Sequence, residues 1–200
     1  MAVLSGGETC PSTHGKTVAL GKQDKRSPDM RWGLVASIIV LPGTVVIFVP
    51  ASILLLTADS RYPPKATTPG QIWFWLALLA AGLGFALCFW TVKLFTEYGQ
   101  GTPAPWDPPR RMVIMGPYRY CRNPMITGAL LLLLAEALFF LSWPLAAWMI
   151  LFFVGNAIYF PFVEEKGLEK RFGDPYLKYK ASVPRWIPRL KPWEMPEGGE

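Results

Sequence analysis

The composition of this 200-residue chain is typical of a membrane protein. Hydrophobic residues make up 52% of it, the mean hydropathy is +0.26, and the apolar residues occur in long blocks. The formal charge of +6 would also suit a nucleic-acid-binding protein, so the placement of the basic residues decides between the two classes. The three cysteines, Cys10, Cys88 and Cys121, have the spacing of neither a disulfide framework nor a metal site, and we expect free thiols and no metal.

A helix rises about 1.5 Å per residue, so a hydrocarbon core of about 30 Å is crossed by about 20 residues. Four apolar blocks are candidates for such membrane spans. They are residues 32–57, 71–95, 125–141 and 143–163, three of them clearly long enough and one marginal. The first block is too long for a signal peptide, so we interpret it as retained. Residues 1–29 lack apolar periodicity and are predicted to be a disordered tail. The sequence therefore predicts an all-α, polytopic membrane domain over residues 30–200.

The basic residues are strongly partitioned between the two sides of these spans. Eighteen of the twenty lysines and arginines fall on one side, and only Arg61 and Lys65 fall on the other. By the positive-inside rule, both termini and the 96–123 loop are predicted to be cytoplasmic. Topology thus explains the basic excess, and we expect the bilayer rather than a nucleic acid as the partner.

A polar stretch leads directly into the third predicted span. It comprises residues 116–128, which read G-P-Y-R-Y-C-R-N-P-M-I-T-G. Asn123 and Pro124 are typical first residues of a helix. The free N–H groups of that helix start, beside Arg119 and Arg122, would suit a carboxylate or a phosphate. Membrane topology alone would also place arginines here, so the pattern leaves both interpretations open.

Two further features have a functional and a structural interpretation. The segment 97–109 is too rich in proline and glycine for a helix and is predicted to be either a connector or a lid over the cytoplasmic mouth. Glu136 lies inside the third span, where an ionisable group is costly and therefore a functional candidate. Asn156 in the fourth span is its candidate hydrogen-bond partner, and the pair would equally suit helix–helix packing.

The fourth span is predicted to continue beyond the membrane as a helix, with a bend at Pro161. Glu164, Leu168 and Phe172 are spaced to share one face, so that the carboxylate points towards the mouth and the apolar pair packs beneath it. Gly173 ends that helix. The basic, aromatic tail that follows is suited to lie either on the membrane surface or over the site.

Two motifs in this order identify a family resemblance. The first is G-P-Y-R-Y-x-R-N-P-M at residues 116–125 with Gly128, and the second is E-E-x-x-L-x-x-x-F-G-x-x-Y-x-x-Y at residues 164–179 followed by V-P-R. Together, over about residues 97–190, they resemble the isoprenylcysteine carboxyl methyltransferase and phospholipid methyltransferase superfamily. The resemblance implies an integral membrane enzyme that binds S-adenosylmethionine in a cytoplasm-facing pocket built from residues 97–128 and 160–190.

The resemblance also implies a set of cofactor contacts, to which the chemistry of the stretch adds Arg122. The cofactor's carboxylate suits Arg122 and the helix start, and its ammonium suits Glu164. If the acceptor has to lose a proton, Glu165 and Glu136 are the candidate catalytic bases. The complete predicted cofactor set is Arg110, Arg111, Met112, Val113, Tyr118, Arg122, Asn123, Pro124, Met125, Ile126 and Glu164.

The chain departs from the prenylcysteine branch at three positions. Asn123 and Ile126 stand where that branch usually has His and Tyr, and Phe160 stands where an arginine is thought to hold the substrate carboxylate. We therefore expect a lipophilic or uncharged acceptor, reached from the bilayer. Prenylcysteine methylation, a sterol-reductase-like oxidoreductase and a non-enzymatic membrane subunit are the alternatives, and the sequence leaves the oligomeric state open.

Overall fold

The computed structural model describes residues 39–60, 63–99 and 112–194, and the regular structure of this part of the chain is helical. The predicted tail (1–29), most of the 97–109 segment, Arg110 and Arg111 lie outside the described residues. The elements, in chain order, are a π-helical stretch Ile39–Phe48, α1 (Val49–Thr57), α2 (Ile72–Leu94) with a π-helical end Phe95–Gly99, a 3-10 turn Gly116–Arg119, α3 (Pro124–Phe139), α4 (Trp143–Tyr159), a π-helical stretch Phe160–Glu164, α5 (Glu165–Phe172) and α6 (Asp174–Ser182).

Two helical runs in the described part of the chain are long and apolar enough to cross a membrane. They are Ile72–Tyr98, with 27 residues, and Trp143–Phe172, with 30, and the most apolar stretch of each is largely exposed. The apolar helices Gly43–Thr57 and Pro124–Phe139 are shorter. The second and fourth predicted spans are thus long enough to cross a membrane. The third is shorter than predicted because α3 ends at Phe139 and Leu141, with φ of 43°, turns the chain into α4.

Helices α2 and α3 approach each other closely through two glycines. A Cβ atom on Gly128 would lie 2.6 Å from Cys88 Sγ and 3.1 Å from the Gly84 carbonyl oxygen, and a Cβ on Gly84 would lie 2.9 Å from the Gly128 carbonyl oxygen. No larger side chain fits there without displacing a backbone. Small residues allow close packing between apolar helices, for which the hydrophobic effect supplies little drive in a bilayer.

An extended segment before α2 closes the far end of α3. The N–H groups of Lys65 and Thr67 donate to the carbonyls of Phe140 and Phe139, at 2.9 and 2.7 Å. Because the last carbonyls of a helix have no partner within the helix, these two bonds satisfy groups that would otherwise need water.

The C-terminal segment folds back over the turn that precedes α3. Gly173, with φ of +59°, separates α5 from α6, and after α6 the chain runs across residues 119–122. Three backbone bonds hold it there: Arg122 N–H to Pro184, Arg189 N–H to Tyr120 and Trp193 N–H to Arg119, all at 2.9–3.0 Å. Below it lies a buried cluster of Tyr176, Tyr179, Val183 and Trp193, against which Met112, Ile114, Leu168 and Phe172 pack.

Candidate functional site

A buried carboxylate at the start of α5 is surrounded by three cations. Glu165 is 3% exposed. Its Oε1 accepts hydrogen bonds from Arg122 Nη1 at 2.9 Å and from Arg185 Nε at 2.7 Å, and its Oε2 lies 3.0 Å from Lys180 Nζ. These four charged side chains connect the segment before α3, the start of α5, the end of α6 and the tail.

This charge cluster carries an excess of positive charge. Lys180 also pairs with Glu169, at 2.6 Å, so three cations face two carboxylates. The hydrogen bonds to Glu169 and Glu165 raise the pKa of Lys180, which therefore stays an ammonium at neutral pH. The excess charge lies beside the N-terminal end of α3, where the helix dipole also favours an anion.

Two buried donors next to this cluster have no acceptor within the described part of the chain. They are Arg122 Nε and Asn123 Nδ2. The predicted cap is not made, because the Asn123 side chain does not hydrogen-bond to the first turn of α3. The N–H groups of Met125 and Ile126 belong to that first turn and have no acceptor within the helix. Since leaving a buried donor unpaired costs about 1–3 kcal/mol, the two buried side-chain donors, with these N–H groups next to them in the chain, fit an acceptor-rich ligand such as a carboxylate.

The other predicted cofactor residues within the described range lie on the same short stretch of chain. Pro124 is buried at the first position of α3, and Met112, Val113 and Ile126 are half-buried. Tyr118 is buried, and its carbonyl accepts a 2.7 Å hydrogen bond from the Tyr179 hydroxyl. Burial raises the pKa of Tyr179, so it stays a neutral donor and fixes the backbone of the 3-10 turn to α6.

The side chain that faces inward is that of Glu165, and not that of Glu164 as predicted. Glu164 is exposed, and the residue that turns inward above Leu168 and Phe172 is Glu165. The reason is the π-helical stretch before α5, in which the Glu165 N–H bonds to the Phe160 carbonyl five residues back. A π-helical turn contains more residues than an α-helical one and so rotates the faces of the following helix. Glu164 therefore lies at the surface, next to the cluster.

Glu136 lies near the opposite end of α3 from the charge cluster. It is twelve residues after Pro124, which corresponds to about 18 Å along the helix axis. Its proposed partner, Asn156, donates instead to the Phe152 carbonyl in its own helix at 2.8 Å. Within the described residues Glu136 Oε2 has no hydrogen-bond partner. The two candidate bases, Glu136 and Glu165, therefore do not belong to one site.

Phe160 is part of an aromatic group that the sequence analysis did not anticipate. It is buried, and its ring centroid lies 6.0 Å from that of Trp186. The Trp186 ring also lies 5.3 Å from that of Phe153, edge to face. Trp186 and Lys180 are the residues that the sequence analysis missed, because pattern along the chain does not report contacts between distant segments.

An open cavity of about 430 Å³ lies where residues 112–119 meet Trp193 and Glu194. Its size is within the range of small-molecule sites. Arg119 at this cavity is already engaged, since Nε donates to the Trp193 carbonyl at 3.0 Å and Nη2 pairs with Glu194. The lining residues are Met112, Ile114, Met115, Gly116, Arg119, Trp193 and Glu194.

Comparison with known proteins identifies the family to which this site belongs. A family model described as phospholipid methyltransferase matches residues 72–175, just over half of the chain. The match begins with α2, ends in α6, and includes Arg122, Glu164 and Glu165. No curated protein and no solved structure matches the chain. The chain belongs to the phospholipid methyltransferase family, part of the integral membrane methyltransferase superfamily that also contains the isoprenylcysteine carboxyl methyltransferases.

Proposed function

We propose that this protein transfers a methyl group from S-adenosylmethionine to a lipophilic acceptor in the membrane. The observation that carries the proposal is the positively charged cluster around Glu165, whose Arg122 and Glu165 lie within the region matched by a methyltransferase family, beside buried donors that lack an acceptor among the described residues. The family supports methyl transfer to a lipid-related acceptor. The cofactor and the choice of acceptor are argued from the residues.

The donors at the start of α3 match the polar end of the cofactor. Its carboxylate would be held by Arg122 Nε, Asn123 Nδ2 and the N–H groups of Met125 and Ile126, because these donors belong to the N-terminal end of α3 and Arg122 is a member of the charge cluster. Glu164, the exposed carboxylate next to the cluster, would hold its ammonium.

The less polar parts of the cofactor need apolar walls, and the remaining predicted residues supply them. Met112, Val113 and Ile126 are half-buried, and Pro124 and Tyr118 fix the backbone between them. We propose Arg110 and Arg111, at the edge of this stretch, as further contacts. When bound, S-adenosylmethionine supplies a methyl group on a positively charged sulfur.

For such a transfer the protein contributes mainly by aligning the reactants and excluding water. Glu165 is held by three cations, an arrangement that keeps it ionised and makes it a poor proton acceptor. We therefore assign Glu165 to positioning Arg122 and Arg185. With Glu136 about 18 Å away along α3, the proposal requires an acceptor that is already nucleophilic.

The surroundings of Phe160 favour an acceptor without a carboxylate. The Phe160 ring packs against Trp186, and among the described residues the nearby Arg185 is already bound to Glu165. A carboxylate desolvated there would lack a fixed counter-charge, which is costly. A neutral or lipid-like acceptor that enters sideways from the bilayer fits better than a prenylcysteine.

Calorimetric titration of the detergent-purified protein with S-adenosylmethionine tests the cofactor assignment. Arg122→Lys keeps the positive charge beside Glu165 and removes Nε, so its affinity should fall about tenfold or more, in line with about 1.5–3 kcal/mol for a charge-assisted hydrogen bond. Arg171→Lys, at an exposed position outside the cluster, is the matched control. Unchanged affinity in Arg122→Lys would remove the carboxylate site, and binding of a nicotinamide cofactor instead would replace the proposed reaction with a reductase.

A further inference from the structure

We propose that residues 186–191, here called the tail anchor, bind the headgroup region of the bilayer at anionic phospholipids. The proposal concerns where the tail lies and which lipid it recognises. It does not depend on the methyl-transfer reaction.

The first argument is the contact between the first residue of the tail anchor and the side of α4. Trp186 packs edge to face on Phe153, with ring centroids 5.3 Å apart. Phe153 lies in the interior of α4, within the run Trp143–Phe172 that is long and apolar enough to cross a membrane. The tail anchor therefore starts against the side of a helix that faces lipid, and it is continuous with that apolar surface.

The second argument is the exposure of the side chains that follow. Ile187 is 78% exposed and Leu190 is 100% exposed. Contact with water at both positions is unfavourable, and their neighbours Trp186 and Trp193 are by contrast packed against the protein. Two exposed apolar residues beside a lipid-facing helix are suited to lie at the boundary between headgroups and acyl chains.

The third argument is charge, and it selects the kind of lipid. Arg189 and Lys191 flank Leu190, and among the described residues neither is paired with a carboxylate; Arg189 Nη1 donates to the Ser182 carbonyl at 2.9 Å, which leaves its positive charge uncompensated. By contrast, Lys180 and Arg185 are used inside the cluster. Long basic side chains around an apolar residue place their charges at the headgroup level, where anionic phosphates attract them.

The tail anchor is also tied to the candidate site on both sides. Pro184 and Trp193 make backbone bonds to Arg122 and Arg119, and Arg189, inside the anchor, donates to the Tyr120 carbonyl at 2.9 Å. Binding of the anchor to lipid would thus hold Arg185 on Glu165. By linkage, a lipid that favours the docked tail stabilises the charge cluster by the same free energy.

The test measures the position of residue 190 in vesicles of defined lipid. An environment-sensitive fluorescent amino acid replaces Leu190, and the full chain is reconstituted into phosphatidylcholine with or without phosphatidylglycerol, with a small fraction of lipids carrying a quencher at headgroup level. We expect quenching that increases at least twofold with phosphatidylglycerol. Inorganic phosphate added to phosphatidylcholine vesicles should not reproduce the increase, because the source is the lipid.

Two single-charge variants of the labelled chain complete the design. Lys191→Gln should remove most of the phosphatidylglycerol effect, whereas Lys170→Gln, at an exposed position on α5, should keep it. Circular dichroism verifies that both variants fold. Absence of quenching, quenching that does not depend on phosphatidylglycerol, or an equal loss in both variants would overturn the proposal.

Discussion

Replacing Glu165 by glutamine should destabilise the protein strongly although the side chain keeps its shape. The change removes the negative charge on which Arg122, Arg185 and Lys180 converge at 2.7–3.0 Å. Removing one partner of a buried ion pair costs about 3–5 kcal/mol, because the other charge stays buried without compensation. Arg122 is 11% exposed, but Arg185 and Lys180 are 25% and 34% exposed and regain hydration. We therefore expect the lower end, about 3 kcal/mol.

The measurement is thermal unfolding in detergent followed by circular dichroism. For a chain of this size about 1 kcal/mol corresponds to about 2–4 °C, so the midpoint should fall by about 6–12 °C. Glu164→Gln is the matched control: it makes the same substitution one residue earlier at an exposed position, and the free energy of unfolding should change by less than about 0.5 kcal/mol. The double variant Glu165→Gln/Arg122→Gln should recover part of the loss.

The outcome also separates the roles of the two carboxylates. Glu164→Gln should weaken S-adenosylmethionine binding without changing the unfolding midpoint, because it removes the proposed partner of the cofactor's ammonium. An equal loss of stability from both variants, or none from Glu165→Gln, would show that the charge cluster does not hold the segments together.

Two further predictions concern helix packing and the acceptor. Gly128→Ala should lower the free energy of unfolding by about 1–3 kcal/mol, because the added Cβ would lie 2.6 Å from Cys88 Sγ. Gly155→Ala is the control and should not destabilise the protein, because no atom lies within 4 Å of the added Cβ. Thermal unfolding checks both variants, and equal midpoints would contradict the close approach of α2 and α3. The unmodified protein should methylate a neutral or lipid-like acceptor in preference to a farnesylated cysteine analogue, and Phe160→Arg should raise turnover of the analogue, in assays with methyl-labelled cofactor. Robust turnover of the analogue by the unmodified protein, with no gain from the arginine, would contradict the role given to Phe160.

The hydrophobic blocks of the sequence predicted where the helices lie better than they predicted where each helix ends. A run of apolar residues locates α2 and α4 because only a helix satisfies its own backbone in lipid. The end of α3 was missed because Leu138 to Leu141 are as apolar as the residues before them, and the turn comes from the positive φ of Leu141, which composition does not report. The start of α3 at Pro124 was predictable because proline has a fixed role at the first position of a helix.

The sequence motifs marked some members of the charge cluster but not their geometry. The motifs marked Arg122 and both glutamates, yet which glutamate turns inward depends on the π-helical stretch before α5, and periodicity assumes a regular helix. The contact between Arg122 and Glu165 joins residues 43 positions apart, and that between Phe153 and Trp186 joins a helix to the tail. Such pairs are set by the fold and leave no local pattern in the sequence.

The order in which the cluster's members occur along the chain has a consequence for biosynthesis. Arg122 is made before α4, Glu165 just after it, and Lys180 and Arg185 later still, so the cluster forms only after both long apolar helices have been synthesised. Completion of the site therefore follows synthesis of the long helices, and a chain that stopped before Lys180 would keep those helices but lack two of the three cations that neutralise Glu165.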